Sequence, residues 1–214
     1  MLIKTVIDGI DIEMESGDYY FSPEALDKGT AFMLSCVKMT PEDKVLDLGC
    51  GYGPVGIYAA RKIGGDRVLM CDISEDAIAL SKDNLRRNGI EGVVPVISDG
   101  LKNIDDPDIT IILSNPPYHT DFSVAKGFIE DSFRKLPVGG RLYMVTKRKA
   151  WYRNKITAVF GGVRMRERDG YIVFEAEKRG EVSPKRQKPK KEMSRKLQRK
   201  LDRENSKAKD SGVL

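Results

Sequence analysis

The segment KVLDLGCGYGPVG, residues 44–56, decides the fold. Its first six residues predict a short buried strand, and a helix is predicted over residues 54–63, with Pro54 in the first turn, where proline is well tolerated. The glycines between them let the backbone turn tightly and approach a ligand at the N-terminus of that helix. By spacing alone, Gly51, Gly53 and Gly56 also match a dinucleotide-binding pattern, so the turn by itself leaves the cofactor open.

The chain after this turn alternates between strands and helices. Further strands are predicted at residues 67–72, 93–98, 109–115 and 141–146, helices at residues 74–88, 122–136 and 150–160, and a closing hairpin at residues 163–168 and 171–177. Pro95 favours an edge position for its strand. This order predicts an α/β fold, a mostly parallel seven-stranded sheet with helices on both faces and an antiparallel closing hairpin.

The chain before the turn predicts a hairpin and a helix. Residues 2–14 alternate around Asp8-Gly9, a pair that favours a tight hairpin turn. Ser22-Pro23 predicts a helix start, with Ser22 as the N-cap, and the helix is expected to run to about Val37.

The net charge of +5 over 214 residues is unevenly distributed along the chain. From Lys178 onwards there are 14 basic and 5 acidic residues, whereas the preceding residues carry a net charge of −4. Such an asymmetry favours an anionic partner such as nucleic acid. No apolar run approaches the ~20 residues that span a bilayer. The acidic N-terminal segment is unlike a signal peptide and the three cysteines suit a reducing compartment, so we expect a cytoplasmic protein without a membrane partner.

Three predicted strands end in aspartate. Asp47 closes the first strand of the sheet, Asp72 the second, and Asp99 follows the third. The carboxyl ends of parallel strands meet at one edge of the sheet, where such folds bind ligands. A single aspartate there could be a strand cap, but three favour a ligand site. A carboxylate at Asp47 would repel a pyrophosphate and suits a cationic ligand such as a sulfonium.

The fourth strand runs into Asn115-Pro116-Pro117-Tyr118. The asparagine oxygen can accept one N–H of a target amine, and a backbone carbonyl of the proline pair can accept the other. The prolines stiffen the loop, and Tyr118 offers a face on which a planar substrate can stack. A bare Asn-Pro turn is the alternative, but the position after the fourth strand favours a methyl-acceptor site.

Three segments carry a resemblance to a known family. VLDLGCGYG, residues 45–53, resembles the signature of class I S-adenosylmethionine-dependent methyltransferases. FSPEALDKGT, residues 21–30, and NPPYH, residues 115–119, resemble the small-methyltransferase family that includes ribosomal RNA guanine-N2 methyltransferases. The resemblance implies a Rossmann-like class I methyltransferase fold. Residues 1–40 would be its N-terminal hairpin and helix, residues 41–178 its core, and residues 179–214 a basic, flexible tail.

The resemblance also implies roles for individual residues, with S-adenosyl-L-methionine as the cofactor and no metal. The residues expected to bind the cofactor are Phe21, Gly29, Thr30, Asp47, Gly49, Cys50, Gly51, Gly53, Asp72, Ile73, Ser98, Asp99 and Asn115. The expected catalytic residues, which would hold the acceptor, are Asn115, Pro116, Pro117 and Tyr118. The residues expected to contact substrate RNA are Tyr118, His119, Lys147, Arg148 and Lys149.

Two of these assignments have simpler alternatives. His119 could shuttle a proton, but a loop residue that lines the substrate is favoured. Lys147, Arg148 and Lys149 stand before Trp151, so they either contact RNA phosphates or begin an ordinary helix with Trp151 packed inward.

The activity expected from these features is methyl transfer to an exocyclic amine of an RNA base, with guanine-N2 of ribosomal RNA favoured. Alternatives within enzymes are a protein glutamine-N5 methyltransferase and an adenine-N6 nucleic-acid methyltransferase. A binding module with an inactive site and a nicotinamide dehydrogenase are further alternatives. The expected partner is ribosomal RNA or a ribosomal subunit, and a monomer is favoured.

Overall fold

The computed structural model describes residues 1–17, 25–117 and 122–180. Phe21, Tyr118, His119 and the tail beyond residue 180 lie outside the described residues. The strands are β1 Leu2–Ile7, β2 Ile10–Glu15, β3 Val45–Leu48, β4 Val68–Asp72, β5 Pro95–Ile97, β6 Ile111–Ser114, β7 Arg141–Thr146, β8 Arg164–Arg168 and β9 Tyr171–Glu177. The helices are α1 Lys28–Cys36, α2 Pro54–Ile63, α3 Glu75–Arg87, α4 Phe122–Lys135 and α5 Lys149–Phe160.

Seven of these strands form one sheet in the order β5-β4-β3-β6-β7-β9-β8. The first five are parallel to their neighbours, whereas β9 runs antiparallel to β7 and β8 antiparallel to β9. The predicted seven-stranded sheet with its antiparallel closing hairpin is confirmed, and so is the edge position of the strand that contains Pro95. That strand is shorter than predicted, because it begins at Pro95 itself.

Apolar side chains cover both faces of this sheet. On one face Val45 and Met70 pack with residues of α1, α2 and α3. On the other face Leu46 and Leu48 pack with residues of α4 and α5. Successive residues of β3 therefore enter opposite layers, as the two-residue period of a strand requires. The predicted arrangement of helices on both faces is confirmed.

Helix α1 begins later than the sequence predicts. Residues 25–27 are not helical, and Asp27 is the N-cap, with its carboxylate Oδ2 accepting the Thr30 N–H at 2.8 Å. The predicted start at Ser22-Pro23 is therefore wrong, because the chain is not yet helical at residues 25–27 and Asp27, an equally good capping residue, caps the helix instead. Because the helix starts here, Asp27 and Thr30 lie at the carboxyl edge of the sheet, among the residues of the candidate site.

The N-terminal hairpin is fixed to α3 by two asparagines. Its turn is at Asp8-Gly9, as predicted. Asn84 Oδ1 accepts the Glu15 N–H at 2.7 Å, and its Nδ2 donates to the carbonyls of Glu15 at 2.9 Å and Tyr52 at 2.8 Å. Asn88, one helical turn further, makes the same pair of bonds with the backbone of Glu13. The amides satisfy an edge of β2 as a neighbouring strand would, and Asn84 also ties that edge to the glycine turn.

Replacement of Asn84 should therefore destabilise the fold. Asn84→Ala removes one buried hydrogen bond, to the Tyr52 carbonyl, and two part-buried ones, to the backbone of Glu15, so we expect a loss of about 2–3 kcal/mol in the free energy of unfolding. Asp83→Ala, a change at an exposed neighbour on the same helix, should cost less than about 0.5 kcal/mol. Urea denaturation measures both, and equal effects of the two variants would contradict the role given to Asn84.

Candidate functional site

The glycine turn after β3 is held by the end of β4. The N–H groups of Gly49 and Cys50 both donate to the Cys71 carbonyl at 2.9 Å, and the Gly51 N–H donates to Asp72 Oδ2 at 2.9 Å. Gly49 and Gly51 have φ values of 76° and 54°, which favour glycine. The turn can therefore pass close to a ligand while most of its donors are satisfied by the neighbouring strand.

A cavity of about 440 Å³ opens at this edge of the sheet. Most residues that the sequence assigns to the site line it, namely Thr30, Asp47, Gly49, Cys50, Gly51, Asp72, Ile73, Ser98, Asp99, Asn115, Pro116 and Pro117. The structure thus brings together most of the predicted cofactor residues and the described part of the predicted acceptor loop.

Gly29 and Gly53 do not line this cavity but allow close packing behind it. A Cβ at Gly29 would lie 2.6 Å from Cδ1 of Tyr171, and one at Gly53 would lie 3.0 Å from Cε of Met70. Gly53 also has a φ of 97° and is the N-cap of α2. Both glycines shape the site without facing its interior.

Asp47 is a buried carboxyl group, with 2% of the residue exposed. Its Oδ2 accepts the Gly56 N–H at 2.9 Å, which links β3 to the first turn of α2. Burial, with a smaller contribution from the nearby Asp72 carboxylate, raises the pKa of Asp47 to about 7 although the hydrogen bond from the Gly56 N–H opposes the rise. A cation in the cavity would favour the ionised form.

The other two strand-end acids differ from Asp47. Asp72 is fixed, because its second oxygen accepts the Ser74 N–H at 3.0 Å in addition to the bond from Gly51. Asp99 forms an ion pair with Lys102, and its side chain is 61% exposed. Ser98 shapes the loop beside it, donating to the Gly100 carbonyl at 2.9 Å. One buried, one anchored and one exposed carboxyl group therefore share a single cavity.

The cysteines at this edge are buried thiols. Burial raises the pKa of Cys50 well above its usual range and that of Cys71 to about 12. Both thiols are therefore protonated at neutral pH, and neither is a thiolate nucleophile.

Asn115 at the end of β6 is joined to the start of α1. Its Nδ2 donates to Asp27 Oδ2 at 3.0 Å and to Thr30 Oγ1 at 2.9 Å. Asp27 Oδ1 in turn accepts the Tyr171 hydroxyl at 3.2 Å. Residues that are far apart in sequence thus meet around one amide.

Two residues of this network, Asp27 and Tyr171, are not predicted as site residues from the sequence. Asp27 has a weak signal, a capping residue three positions before Thr30, which the stronger Ser22-Pro23 pattern masks. The sequence places Tyr171 at the start of a predicted strand and gives no sign of a role in the site. Phe128 of α4 is a third missed residue, since its ring lies 3.5 Å from the place of a Cβ at Gly49 and 3.7 Å from that at Gly100. Nothing in its local sequence distinguishes it from a core phenylalanine.

The basic residues after β7 do not share one environment. The Lys147 ammonium lies 4.5 Å from the centre of the Tyr171 ring, and the Arg148 guanidinium lies 4.9 Å from that of Phe122. Lys149 instead forms an ion pair with Glu167. Trp151 stacks on Phe122 at 4.3 Å, as the helix-start alternative expects. The helix-start alternative therefore describes Trp151, and contact of the basic residues with RNA stays a prediction.

Sequence comparisons identify the family. The family model described as "Methyltransferase small domain" matches residues 11–175. The chain belongs to this family. It is 33% identical over 73% of its length to the ribosomal RNA small subunit methyltransferase C of Pseudomonas putida and 35% identical over 74% to that of Shewanella amazonensis. It spans only 48% and 47% of these relatives, but 87% of the uncharacterized protein YbxB of Bacillus subtilis, to which it is 30% identical over 78% of its own length.

Solved structures show the same fold. The 16S rRNA N2-guanine methyltransferase of Thermus thermophilus, solved with AdoMet and guanosine, superposes with a TM-score of 0.76 at 24% identity, over 84% of this chain and 50% of that one. A methyltransferase from Pyrococcus furiosus gives a TM-score of 0.65 at 17% identity, covering 78% of this chain and 89% of that one. The predicted class I methyltransferase fold is confirmed, and the family match does not support the dehydrogenase alternative.

Residues 1–17, 25–117 and 122–180 contain neither a membrane-spanning helix nor a cluster of metal ligands. No helix there is long and apolar enough to cross a membrane. No group of three or more His, Cys, Asp or Glu side chains within those ranges is arranged to hold a metal ion.

The raised pKa of Asp47 makes stability depend on pH. The folded chain keeps a proton that the unfolded chain loses near pH 3.8, so the stabilisation by the protonated group is complete at low pH and falls until about pH 7. Asp47→Asn cannot ionise, so its free energy of unfolding relative to the parent should rise by about 2–3 kcal/mol between about pH 5 and about pH 8.

Chemical denaturation at both pH values measures this difference. Asn103→Ala, which changes no ionisable group, serves as the control, and its difference from the parent should not vary with pH. A pH-independent difference for Asp47→Asn would contradict the buried, proton-binding state assigned to this group.

Proposed function

We propose that this chain is an S-adenosylmethionine-dependent methyltransferase that modifies the N2 amine of a guanine in ribosomal RNA. The observation that carries the proposal is the position of Asn115 and its two prolines in the wall of the cavity that the glycine turn also lines. The names of the relatives, ribosomal RNA small subunit methyltransferase C, support the substrate class.

The cavity fits the cofactor in size and in chemistry. Its volume of about 440 Å³ is in the range of ligand sites. Gly49 and Gly51 would lie against the cofactor, the anchored Asp72 carboxylate suits ribose hydroxyls, and Ile73 and Asp99 would flank the adenine. Asp47 supplies the negative charge that suits a cation. When bound, S-adenosylmethionine supplies an electrophilic methyl group on its sulfonium.

Asn115 and the proline pair would hold the acceptor amine. Asn115 Oδ1 accepts one N–H of the amine, and a backbone carbonyl of Pro116 or Pro117 accepts the other. With both N–H groups directed to fixed acceptors, the nitrogen lone pair is aimed into the cavity. Transfer then depends on positioning more than on a strong base, and the proton can leave to water afterwards. Stacking on Tyr118 and lining by His119 remain predictions for the next residues.

Three cations around the site support an RNA substrate. Lys147, Arg148 and Arg168 lie over the rings of Tyr171, Phe122 and Phe32, the last at 4.6 Å. None of the three forms an ion pair within the described ranges, so their charge is available to phosphates. Lys149, paired with Glu167, contributes less. The basic residues 179–214 would add further attraction to ribosomal RNA or a ribosomal subunit in the cytoplasm, with the enzyme acting as a monomer.

Replacement of Asn115 should separate catalysis from binding. With labelled cofactor and ribosomal RNA that lacks the modification, Asn115→Ala should transfer methyl groups at least about 100-fold more slowly. Its affinity for S-adenosylhomocysteine, measured by calorimetry, should fall by much less than the rate, because the glycine turn and Asp72 are intact and Asn115 is only one of the residues expected to bind the cofactor. Asn103→Ala, outside the cavity, serves as the control. Label in protein instead of RNA would favour the glutamine-N5 alternative, and no label in either would favour an inactive binding module.

The salt dependence of RNA binding tests the role of the cations. If Lys147 and Arg148 contact phosphates, Lys147→Gln combined with Arg148→Gln should reduce the slope of log affinity against log salt by about 1–2. Lys149→Gln should change the slope by much less, because Glu167 already neutralises that ammonium. Equal slopes for the double variant and the parent chain would show that Lys147 and Arg148 do not contact RNA phosphates.

A further inference from the structure

Asp27 connects the site to two distant parts of the chain. It is 8% exposed, and its Oδ2 accepts both the Thr30 N–H at 2.8 Å and the Asn115 Nδ2 at 3.0 Å. Its Oδ1 accepts the Tyr171 hydroxyl. A helix cap needs only the first of these contacts, so the other two require a separate explanation.

The contact with Asn115 determines which way that amide faces. A carboxylate accepts hydrogen bonds and cannot donate them, so Asp27 favours the amide nitrogen of Asn115 on its side and repels the amide oxygen. Thr30 Oγ1 accepts from the same nitrogen. With Nδ2 fixed on the side of α1, Oδ1 is directed to the opposite side of the amide plane.

Asp27 can impose this orientation because its own position is fixed. The cap bond holds it to the first turn of α1, and the Tyr171 hydroxyl holds its second oxygen. The Tyr171 ring comes this close because residue 29 is glycine, where a Cβ would lie 2.6 Å from Cδ1 of the ring. The strand β9 thus braces a carboxylate that lies at the start of α1.

We propose that Asp27 is a positioning residue that sets the Asn115 amide for the acceptor amine. The proposal rests on the methyltransferase function proposed above. The negative charge also polarises the amide, because a hydrogen bond from N–H to an anion strengthens the oxygen at the other end as an acceptor. Asp27 therefore acts on the acceptor through Asn115 without serving as a base.

Two other roles for Asp27 make different predictions. A pure helix cap would be replaced adequately by serine, which caps helices as well as aspartate does. Asp27 also lines the cavity, and if it were a ligand to the cofactor its loss would weaken cofactor binding. The positioning role predicts neither outcome.

Four variants separate these roles. Asp27→Ser keeps the cap but is too short to reach Asn115, so kcat should fall about 100-fold while KM for RNA and the affinity for S-adenosylhomocysteine stay within about threefold. Asp27→Asn keeps an acceptor oxygen in place, and its kcat should fall about tenfold or less. Asp27→Glu keeps the charge but displaces it, so it should be less active than Asp27→Asn. Asp83→Ser, on the exposed face of α3, is the control and should match the parent.

Three results would overturn the proposal. They are an Asp27→Ser enzyme within threefold of the parent kcat, a parallel loss of cofactor affinity, or an Asp27→Glu enzyme as active as Asp27→Asn. If Asp27→Ser does not fold, the comparison of Asp27→Asn with Asp27→Glu decides.

A spectroscopic measurement tests the positioning independently of activity. The side-chain amide resonances of Asn115 are those that Asn115→Ala removes from a ¹⁵N–¹H correlation spectrum. In the parent chain they should exchange slowly with solvent, and in Asp27→Ser they should exchange at least about tenfold faster. Unchanged exchange would overturn the proposal even in an active enzyme. Absence of methyl transfer from the parent chain, with this difference intact, would instead overturn the proposed function alone.

Discussion

The structure of the site depends on the tie between the glycine turn and the end of β4. The chain must leave β3 and enter α2 within a few residues, and the donors of that turn would otherwise lack partners. The Cys71 carbonyl and the Asp72 carboxylate accept three of them, and Asp47 accepts the Gly56 N–H in the first turn of α2. Because β3 is paired on both sides, this turn has a fixed position, and every other part of the site is placed relative to it.

The acceptor side is built in a different way, from segments that are distant in sequence. Asn115 arrives on β6, Asp27 and Thr30 on the start of α1, and Tyr171 on the closing hairpin. One edge of the sheet therefore carries a backbone-rich surface suited to a cofactor and a side-chain network suited to an amine. The cation over Tyr171 lies beside this network, and neither it nor the cations over Phe122 and Phe32 form an ion pair with a described carboxylate.

Local sequence patterns predict the sheet, its order of elements and most of the cavity lining. Strand ends and glycine turns have strong local signals, which is why Asp47, Asp72 and Asn115 can be assigned to the site from their sequence context. Pairings across the fold have no such signal, so Asp27, Tyr171 and Phe128 escape prediction. Lys149 differs from Lys147 in its ion pair with Glu167, a residue 18 positions away, which the local sequence does not show. The predicted start of α1 is wrong because two capping signals compete there and only packing selects Asp27. The roles of Phe21, Tyr118, His119 and the basic tail remain predictions.

The identity of the methylated amine is the central claim, since the amine held by Asn115 is proposed to be guanine-N2 in ribosomal RNA. Its most direct test is to digest ribosomal RNA treated with the enzyme and cofactor to nucleosides, and to identify the methylated product by mass spectrometry against synthetic standards. We expect N2-methylguanosine, formed only with the full chain and cofactor together. N6-methyladenosine, or a methylated nucleoside whose new methyl group is not on an exocyclic amine, would contradict the claim.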